Sequence, residues 1–105
     1  MKRFDVYLVA LDPSFGAETA KTRPCVIVSP DEVNTALATV IIAPMTSVRR
    51  RWPTRIPVTF QNKQGEIALD QLRAVDKARL SRRLGKLDAA TAEAVTGTLG
   101  EMFAK

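Results

Sequence analysis

The sequence has no histidine and only one cysteine, Cys25, among its 105 residues. Histidine is the usual proton-transfer group near neutral pH, so any acid or base here must be another residue type. This composition also excludes the usual zinc sites and any intrachain disulfide. Cys25 lies in an apolar run, which favours a small buried hydrophobe and a reducing compartment. We therefore expect a cytoplasmic protein with no metal and no cofactor.

Three further features are missing. No apolar run approaches the roughly 20 residues that span a bilayer. The first residues, 1–5, return to charge too soon for a signal peptide. There is no glycine-rich loop of the nucleotide-binding kinds. Aromatic residues make up only 6% of the chain, with one Trp and one Tyr, so an aromatic cage for a peptide or methyl-lysine is disfavoured.

Positive charge is in surplus. The formal net charge is +5, which indicates an anionic partner: nucleic acid first, acidic protein second and a membrane surface third. The alternative is that the charge only keeps the protein soluble. The length predicts one domain, residues 1–105, with a modest core.

The hydrophobic pattern predicts a mainly β fold with one C-terminal helix, in the α+β class. Strands are expected at 4–11, 26–28, 37–44, 56–60, 66–69, 70–75 (bent near its start) and 81–87, with helical turns at 31–34 and 76–80. Gly85 suggests a bulge in the last strand, and Asp88 is a good N-cap for the final helix. Short strands in so short a chain predict a small barrel with the helix packed against it.

The stretch 21–30 contains the first candidate site. Pro24 keeps Arg23 extended at the mouth of a β-branched strand, where a guanidinium could donate paired hydrogen bonds to a phosphate. The structural alternative is an ion pair between Arg23 and Glu18 or Asp70. The loop 12–22, which lacks periodicity and leads into Arg23, is a candidate cover for the site.

Two further segments could bind a polyanion. Thr46 and Ser47 end the third strand, where their hydroxyls either donate to a phosphate or satisfy local backbone groups. The loop 48–55 carries four arginines and no acid, and Trp52 within it could stack an unpaired base or fold back onto the core. A second basic group is expected to be solvated: Arg73, Lys77, Arg79, Arg82, Arg83 and Lys86.

Several ordered motifs resemble the MazF/PemK (Kid) toxin family along nearly the whole chain. They lie at residues 6–9, 11–13, 16–18 and 21–30, then at Asn34, 43–47, 53–54, 70–76, Leu80 and 84–87. The resemblance implies an SH3-like barrel that forms a homodimer. It also implies a metal-independent, sequence-specific endoribonuclease of a type II toxin–antitoxin system, which cuts single-stranded RNA such as mRNA and is inhibited by a cognate antitoxin.

The resemblance also implies roles for particular residues. Arg23 and Thr46 match the catalytic pair of the family. Some relatives have a histidine where this chain has Ala17, and another has an arginine where this chain has Ala68, so their acid–base assignment does not carry over. Glu18 and Asp70 are then the possible acid or base. The residues expected to bind RNA are Ser47, Arg49, Arg50, Arg51, Trp52 and Gln71.

The alternative within the same fold is a non-catalytic toxin or binding module, like the gyrase-poisoning relatives. Those act through a C-terminal aromatic or polar tail, whereas this chain ends Met102-Phe103-Ala104-Lys105 and retains Arg23 and Thr46.

Overall fold

A computed structural model describes residues 1–12, 16 and 21–105 of the chain. In that part of the chain the strands are β1 Asp5–Ala10, β2 Thr22–Ile27, β3 Thr39–Thr46, β4 Arg55–Phe60, β5 Lys63–Ala68, β6 Arg73–Asp76 and β7 Leu80–Lys86. The helices are α1 Asp31–Ala36 and α2 Ala89–Met102, and short 3₁₀ turns occupy Leu69–Gln71 and Lys77–Arg79. The predicted mainly β class with a C-terminal helix is confirmed.

Strand β3 is the centre of the sheet. The strand order is β4-β5-β3-β2-β1-β7, every pairing is antiparallel, and β6 pairs with the first half of β3. β5 pairs instead with the end of β3, through Met45–Ile67 and Thr46–Glu66. One long strand therefore joins the two parts of a strongly bent sheet.

The structure corrects several predicted boundaries, including the start of β5, which is at Lys63 and not at residue 66. β2 begins at Thr22, so Arg23 lies within the strand and not before it. β3 continues beyond Pro44 to Thr46. The stretch predicted as one bent strand is interrupted by the turn Leu69–Gln71, because β5 and β6 pair with different parts of β3 and the chain must turn between them.

Alternate residues of the central strands pack on opposite sides of the sheet. Val26 and Val28 belong to one apolar cluster, which also contains Val95 of α2, while Cys25 and Ile27 belong to a second cluster. This is the alternation that a strand buried on both faces requires. Cys25 has no exposed surface, and burial raises the pKa of its thiol to about 12. The expected buried, unreactive cysteine is therefore confirmed.

Local signals at the two helices and the last strand agree with the prediction. The Asp88 side chain accepts a hydrogen bond from the Thr91 N–H and caps α2. The register between β1 and β7 shifts after the Val6–Gly85 pair, which is the predicted bulge. Helix α1 is two residues longer than predicted, and Asn34 is buried within it, where its amide donates to the Ser29 carbonyl at 2.9 Å.

Three arginines of the second basic group make specific contacts, and Arg73 and Arg79 among them are only partly solvated. Arg73 donates to the Leu11 carbonyl at 3.0 Å, and Arg79 donates to the carbonyls of Ala10 and Asp12. Arg83 pairs with the buried Asp5 carboxylate at 3.2 Å. These arginines fasten the end of β1 and the pairing of β1 with β7. Neither helix within the described ranges has the length and apolar character needed to cross a bilayer.

Candidate active site

Strand register brings Arg23 and Thr46 to the same place. In the ladder between β2 and β3, Ile27 is paired with Ile42 and Cys25 with Pro44. Two residues further along, the same register sets Arg23 opposite Thr46. The paired residues end at Cys25–Pro44, where Pro24 and Pro44 have no N–H to extend the ladder. The two strand ends are therefore free to separate and leave an opening between them.

That opening is a cavity of about 260 Å³. Its lining comprises Arg23, Pro24, Met45, Thr46, Ser47, Val58, Phe60, Gln61, Lys63, Gln64 and Gly65. Arg23 and Thr46 are both half-buried, so each is held by its neighbours yet reaches the cavity. On its other side Arg23 is paired with Val9 of β1, which fixes the backbone that carries the guanidinium. A lining that combines apolar side chains with a few polar ones is typical of a site that binds a small part of a polar ligand.

The Thr46 hydroxyl is oriented by its own loop. Its Oγ1 accepts a hydrogen bond from the Val48 N–H at 3.1 Å. Such a bond to the residue two positions on restricts the side-chain rotamer, while the hydroxyl proton stays available to donate. A phosphate oxygen in the cavity could accept that proton.

Gly65 allows β5 to approach β3 closely beside Thr46. A Cβ atom built on Gly65 would collide with the Thr46 carbonyl oxygen. Gly65 also lines the cavity and is buried. No side chain other than hydrogen fits there without moving the backbone of Thr46.

The loop that follows Thr46 is held by Glu66, which the sequence analysis did not single out. The Glu66 carboxylate is 1% exposed and accepts the N–H groups of Arg50 at 2.9 Å and Arg51 at 3.0 Å. It also lies 3.5 Å from Nε of Arg49. Burial acts to raise the pKa of Glu66, but these hydrogen bonds outweigh it and leave the pKa below its ordinary value. The carboxylate is therefore an anion at neutral pH.

Arg55 was grouped with the loop arginines but is a buried residue. Its Nε donates to Asp70 Oδ1 at 2.7 Å, its NH2 donates to Asp70 Oδ2 at 3.2 Å, and its NH1 lies 3.5 Å from Glu66. The side chain is only 5% exposed. Arg55 is also the register partner of Ala68, the position at which a relative carries an arginine. An arginine is therefore present beside this position, but it comes from β4 and not from β5. The sequence alone does not show which residues are paired across the two strands.

Both oxygens of Asp70 are engaged. Oδ1 also accepts from the Thr54 hydroxyl at 2.9 Å. Burial acts to raise the pKa of Asp70, whereas the hydrogen bonds from Arg55 and Thr54 outweigh it and lower the pKa below its ordinary value. A carboxylate held in this way is a weak base, and its oxygens are occupied by structural contacts.

Trp52 is 49% exposed, and its ring contacts Arg55, which is held in place by Asp70. The guanidinium carbon of Arg55 is 4.8 Å from the ring centroid, and that of Arg50 is 5.8 Å away. The indole therefore neither folds into the core nor extends freely into solvent. Exposed aromatic surface next to arginines is suited to stacking a base.

The remaining candidates have varied positions. Ser47 is exposed at the cavity rim, and Gln71 is half-buried in the turn that ends at that residue. Glu18, and most of the loop 12–22 expected to cover the site, lie outside the described residues. The described ends of that loop are tied together, since the Lys21 N–H donates to Asp12 Oδ1 at 3.0 Å.

The hairpin between β4 and β5 contributes a wall that the sequence analysis missed. Gln61, Lys63 and Gln64 line the same cavity as Arg23. Gln61 and Asn62 have φ angles of 50° and 64°, which is the left-handed pair of a two-residue hairpin. The alternating strands on both sides of a short polar turn were the available signal. Within the described residues, no group of three or more His, Cys, Asp or Glu side chains could hold a metal ion.

The fold and the cavity together define a class: a small barrel in which an arginine and a hydroxyl, near the ends of two neighbouring strands, border one cavity. The model of the PemK-like, MazF-like toxins of type II toxin–antitoxin systems matches residues 2–103. An Endoribonuclease MazF from Staphylococcus saprophyticus is 37% identical over 90 residues, which are 80% of this chain and 75% of that protein. The chain therefore belongs to the PemK-like, MazF-like toxin family.

Solved structures share the fold of this chain. The crystal structure of MazF from Deinococcus radiodurans superposes with a TM-score of 0.85 at 22% identity, covering 97% of this chain and 94% of that one, and establishes the shared fold. A mycobacterial endoribonuclease in complex with its cognate antitoxin has a TM-score of 0.80 at 25% identity, covering 96% of this chain and 92% of that one. The predicted SH3-like architecture is confirmed by these neighbours.

Proposed function

We propose that this toxin cleaves single-stranded RNA at specific sequences without a metal ion, and that Arg23 and Thr46 are its catalytic residues. The observation that carries the proposal is that the guanidinium and the hydroxyl border one cavity, at a register position where no backbone ladder closes the gap. Family membership and the endoribonuclease name of the staphylococcal relative support the choice of RNA.

The reaction needs few groups. The ribose 2′-oxygen attacks the adjacent phosphorus, a bond to the 5′-oxygen breaks, and the 2′-proton is balanced by a proton on the leaving oxygen. The products are a 2′,3′-cyclic phosphate and a 5′-hydroxyl. Arg23 stabilises the charge that grows on the phosphorane, and Thr46 donates to a phosphate oxygen and fixes its position. Direct hydrolysis to a linear phosphate is the alternative outcome at the same site.

Of the two candidate carboxylates, Glu18 and Asp70, we keep only Glu18 as the acid or base. Asp70 is engaged by Arg55 and Thr54, so we assign it to holding Arg55 and not to proton transfer. Glu18 stays the candidate acid or base, and this proposal rests on sequence alone: it lies two residues after Gly16, in the loop that leads to Arg23. Its Gln variant tests that role through the pH dependence of the cleavage rate.

Ser47 in the cavity lining, together with the crossover after β3 and the turn after β5, is proposed to hold the RNA strand. Ser47 adds a second hydroxyl next to that of Thr46, Trp52 offers a stacking surface, and Gln71 lies on the turn after β5. The side chains of Arg50 and Arg51 contact the phosphate backbone. Arg49 contributes less to RNA binding because Glu66 already engages its Nε.

The central test uses purified protein, a long single-stranded RNA and excess EDTA. We expect site-specific cuts, with cyclic-phosphate and 5′-hydroxyl ends on mapping. Arg23→Ala and Thr46→Val should each slow cleavage by about 10²–10³, the usual loss for one stabilising donor. The exposed Arg82→Ala on β7, at the other edge of the sheet, is the matched control. A folded Arg23→Ala protein that cuts at the wild-type rate would remove the assignment.

We infer two protein partners, a cognate antitoxin and a second copy of the chain, in the cytoplasm. The mycobacterial endoribonuclease solved with its antitoxin supports the first. The net charge of +5 favours an antitoxin segment that is acidic, with apolar anchors for the cavity. Light scattering should give the mass of a dimer at micromolar concentration, and a monomer at all concentrations would contradict the second inference.

A further inference from the structure

The connection from β3 to β4 crosses over another strand. In the sheet order β4-β5-β3, β5 lies between the two strands that residues 47–54 join. The crossover has no regular secondary structure, so its backbone N–H groups need partners other than a ladder. Glu66 is the β5 residue paired with Thr46, and it is therefore next to the point where the crossover begins.

Glu66 supplies two of those partners. Each of its carboxylate oxygens accepts one backbone N–H, Oε1 from Arg50 and Oε2 from Arg51. Arg51 has a φ of 58°, a left-handed conformation that costs a non-glycine residue about 1 kcal/mol or more. A buried anion at the centre of the bend offsets that cost, because releasing the N–H groups would leave the carboxylate only its two longer contacts, with Arg49 and Arg55.

The same carboxylate is linked to the Trp52 ring. Glu66 lies 3.5 Å from NH1 of Arg55, Asp70 holds the other side of that guanidinium, and Trp52 lies over it. The chain of contacts runs from the strand position beside Thr46 to the exposed indole. A change at Glu66 should therefore be felt at the loop backbone and at Trp52 together.

We propose that Glu66 is a positioning residue that presets the crossover 47–54 for single-stranded RNA. It holds the loop backbone and the Trp52 ring in the conformation that binds the strand, so that binding does not have to order the loop. This inference rests on the proposed function for the identity of the ligand. Glu66 itself is buried and does not touch RNA.

The first test measures amide hydrogen exchange in the wild-type protein. We expect the Arg50 and Arg51 amides to exchange at least about tenfold more slowly than the Arg49 amide, for which the structure gives no carboxylate acceptor. Exchange of both amides at the rate of an unstructured chain would overturn the proposal without any variant being made.

The second test compares Glu66→Gln with Glu93→Gln. The Gln side chain replaces one acceptor oxygen with an NH₂ donor, so one of the two loop N–H groups then faces a donor. Glu93 is exposed on α2 and loses the same charge away from the loop. Because Trp52 is the only tryptophan of the chain, its fluorescence and acrylamide quenching report the loop directly. We expect faster amide exchange and altered quenching in Glu66→Gln alone.

The third test measures binding of a 2′-O-methyl RNA of about twelve nucleotides, which cannot be cleaved. We expect Glu66→Gln to weaken binding about tenfold, while single-turnover cleavage at saturating RNA falls by less than about threefold. A purely structural role would lower the affinity and the cleavage rate in proportion to the folded fraction.

Unchanged affinity in folded Glu66→Gln would overturn this inference and leave RNA cleavage by Arg23 and Thr46 standing. Conversely, wild-type protein that binds but does not cut would remove the proposed reaction, and the affinity difference would still decide the role of Glu66.

Discussion

Glycine at position 65 occupies a place that no other residue fits. A Cβ there would meet the backbone of Thr46, and the nearest atom is a carbonyl oxygen that belongs to a strand. Strand backbone moves less readily than the far end of a side chain. The position of the Thr46 hydroxyl therefore depends on a residue with no side chain of its own.

Gly65→Ala is predicted to displace Thr46 and to lower the cleavage rate by about 10², since errors near 1 Å in a positioned group have effects of that size. Cleavage rate and circular dichroism should be measured together, so that loss of activity is separated from loss of fold. Gly97→Ala is the matched control, because a Cβ at Gly97 meets nothing within 4 Å. Wild-type activity in Gly65→Ala would show that the strand can yield.

Individual residues also show where sequence reasoning stopped. Arg23 and Thr46 could be proposed because each lies next to a proline or at a strand end, which are local signals. Glu66 could not, because its partners lie 15 and 16 residues away in the chain. The one available hint was an arginine-rich loop without an acid, which needs an anion from elsewhere. Arg55 was misplaced for the same reason, since its burial follows from pairing across β4 and β5.

At the scale of elements, helix α2 contains two avoidable weaknesses. Gly97 and Gly100 are exposed in its interior, and neither has an atom within 4 Å of a built Cβ. Gly97→Ala and Gly100→Ala are each predicted to raise the free energy of unfolding by roughly 0.5–1 kcal/mol through helix propensity. Urea denaturation measures the change. A loss of stability would mean that a partner packs closely against this face of the helix.

Glu66, which holds the crossover, and Asp70, which holds Arg55 of β4, should make the free energy of unfolding decrease at acidic pH. The pKa values of Glu66 and Asp70 are lowered on folding, so their contribution to the free energy of unfolding is complete above their ordinary pKa values of 4.5 and 3.8. It is lost as the pH falls through the lowered, folded-state values. We expect the urea midpoint to fall as the pH is lowered below about 5, and to fall less steeply in Glu66→Gln. Parallel curves for the two proteins would contradict this.

The elements were predictable to the extent that their signals are local. β-branched runs indicated β1, β2 and β3, and the Asp88 cap indicated the start of α2. The predicted end of β3 was wrong, and the turn at Leu69–Gln71 was predicted only as a bend. Both features depend on which strand pairs with each half of β3. Pairing of that kind is a property of the assembled sheet.

At the scale of the whole molecule, the net charge of +5 should make RNA binding weaker as the salt concentration rises. For single strands each phosphate contact contributes about 0.7 to the slope of log K against log salt. Replacing Arg50 and Arg51 with alanine is predicted to reduce the slope by about 1.4, and Arg49→Ala by less, because Arg49 pairs with Glu66. A titration of the same 2′-O-methyl RNA at several salt concentrations measures this. Equal effects from all three arginines would mean that the Arg49–Glu66 pair opens when RNA binds.

The burial of Cys25 has a practical consequence for studying the toxin. Its thiol has no exposed surface and a pKa of about 12, so thiol reagents at neutral pH find almost no thiolate and no access. A cysteine introduced at an exposed position would then be the single reactive thiol of the native protein. Spin labels or dyes could thus be attached to the crossover or to α2 in an otherwise unaltered chain, and their signals could be followed as RNA or an antitoxin is added.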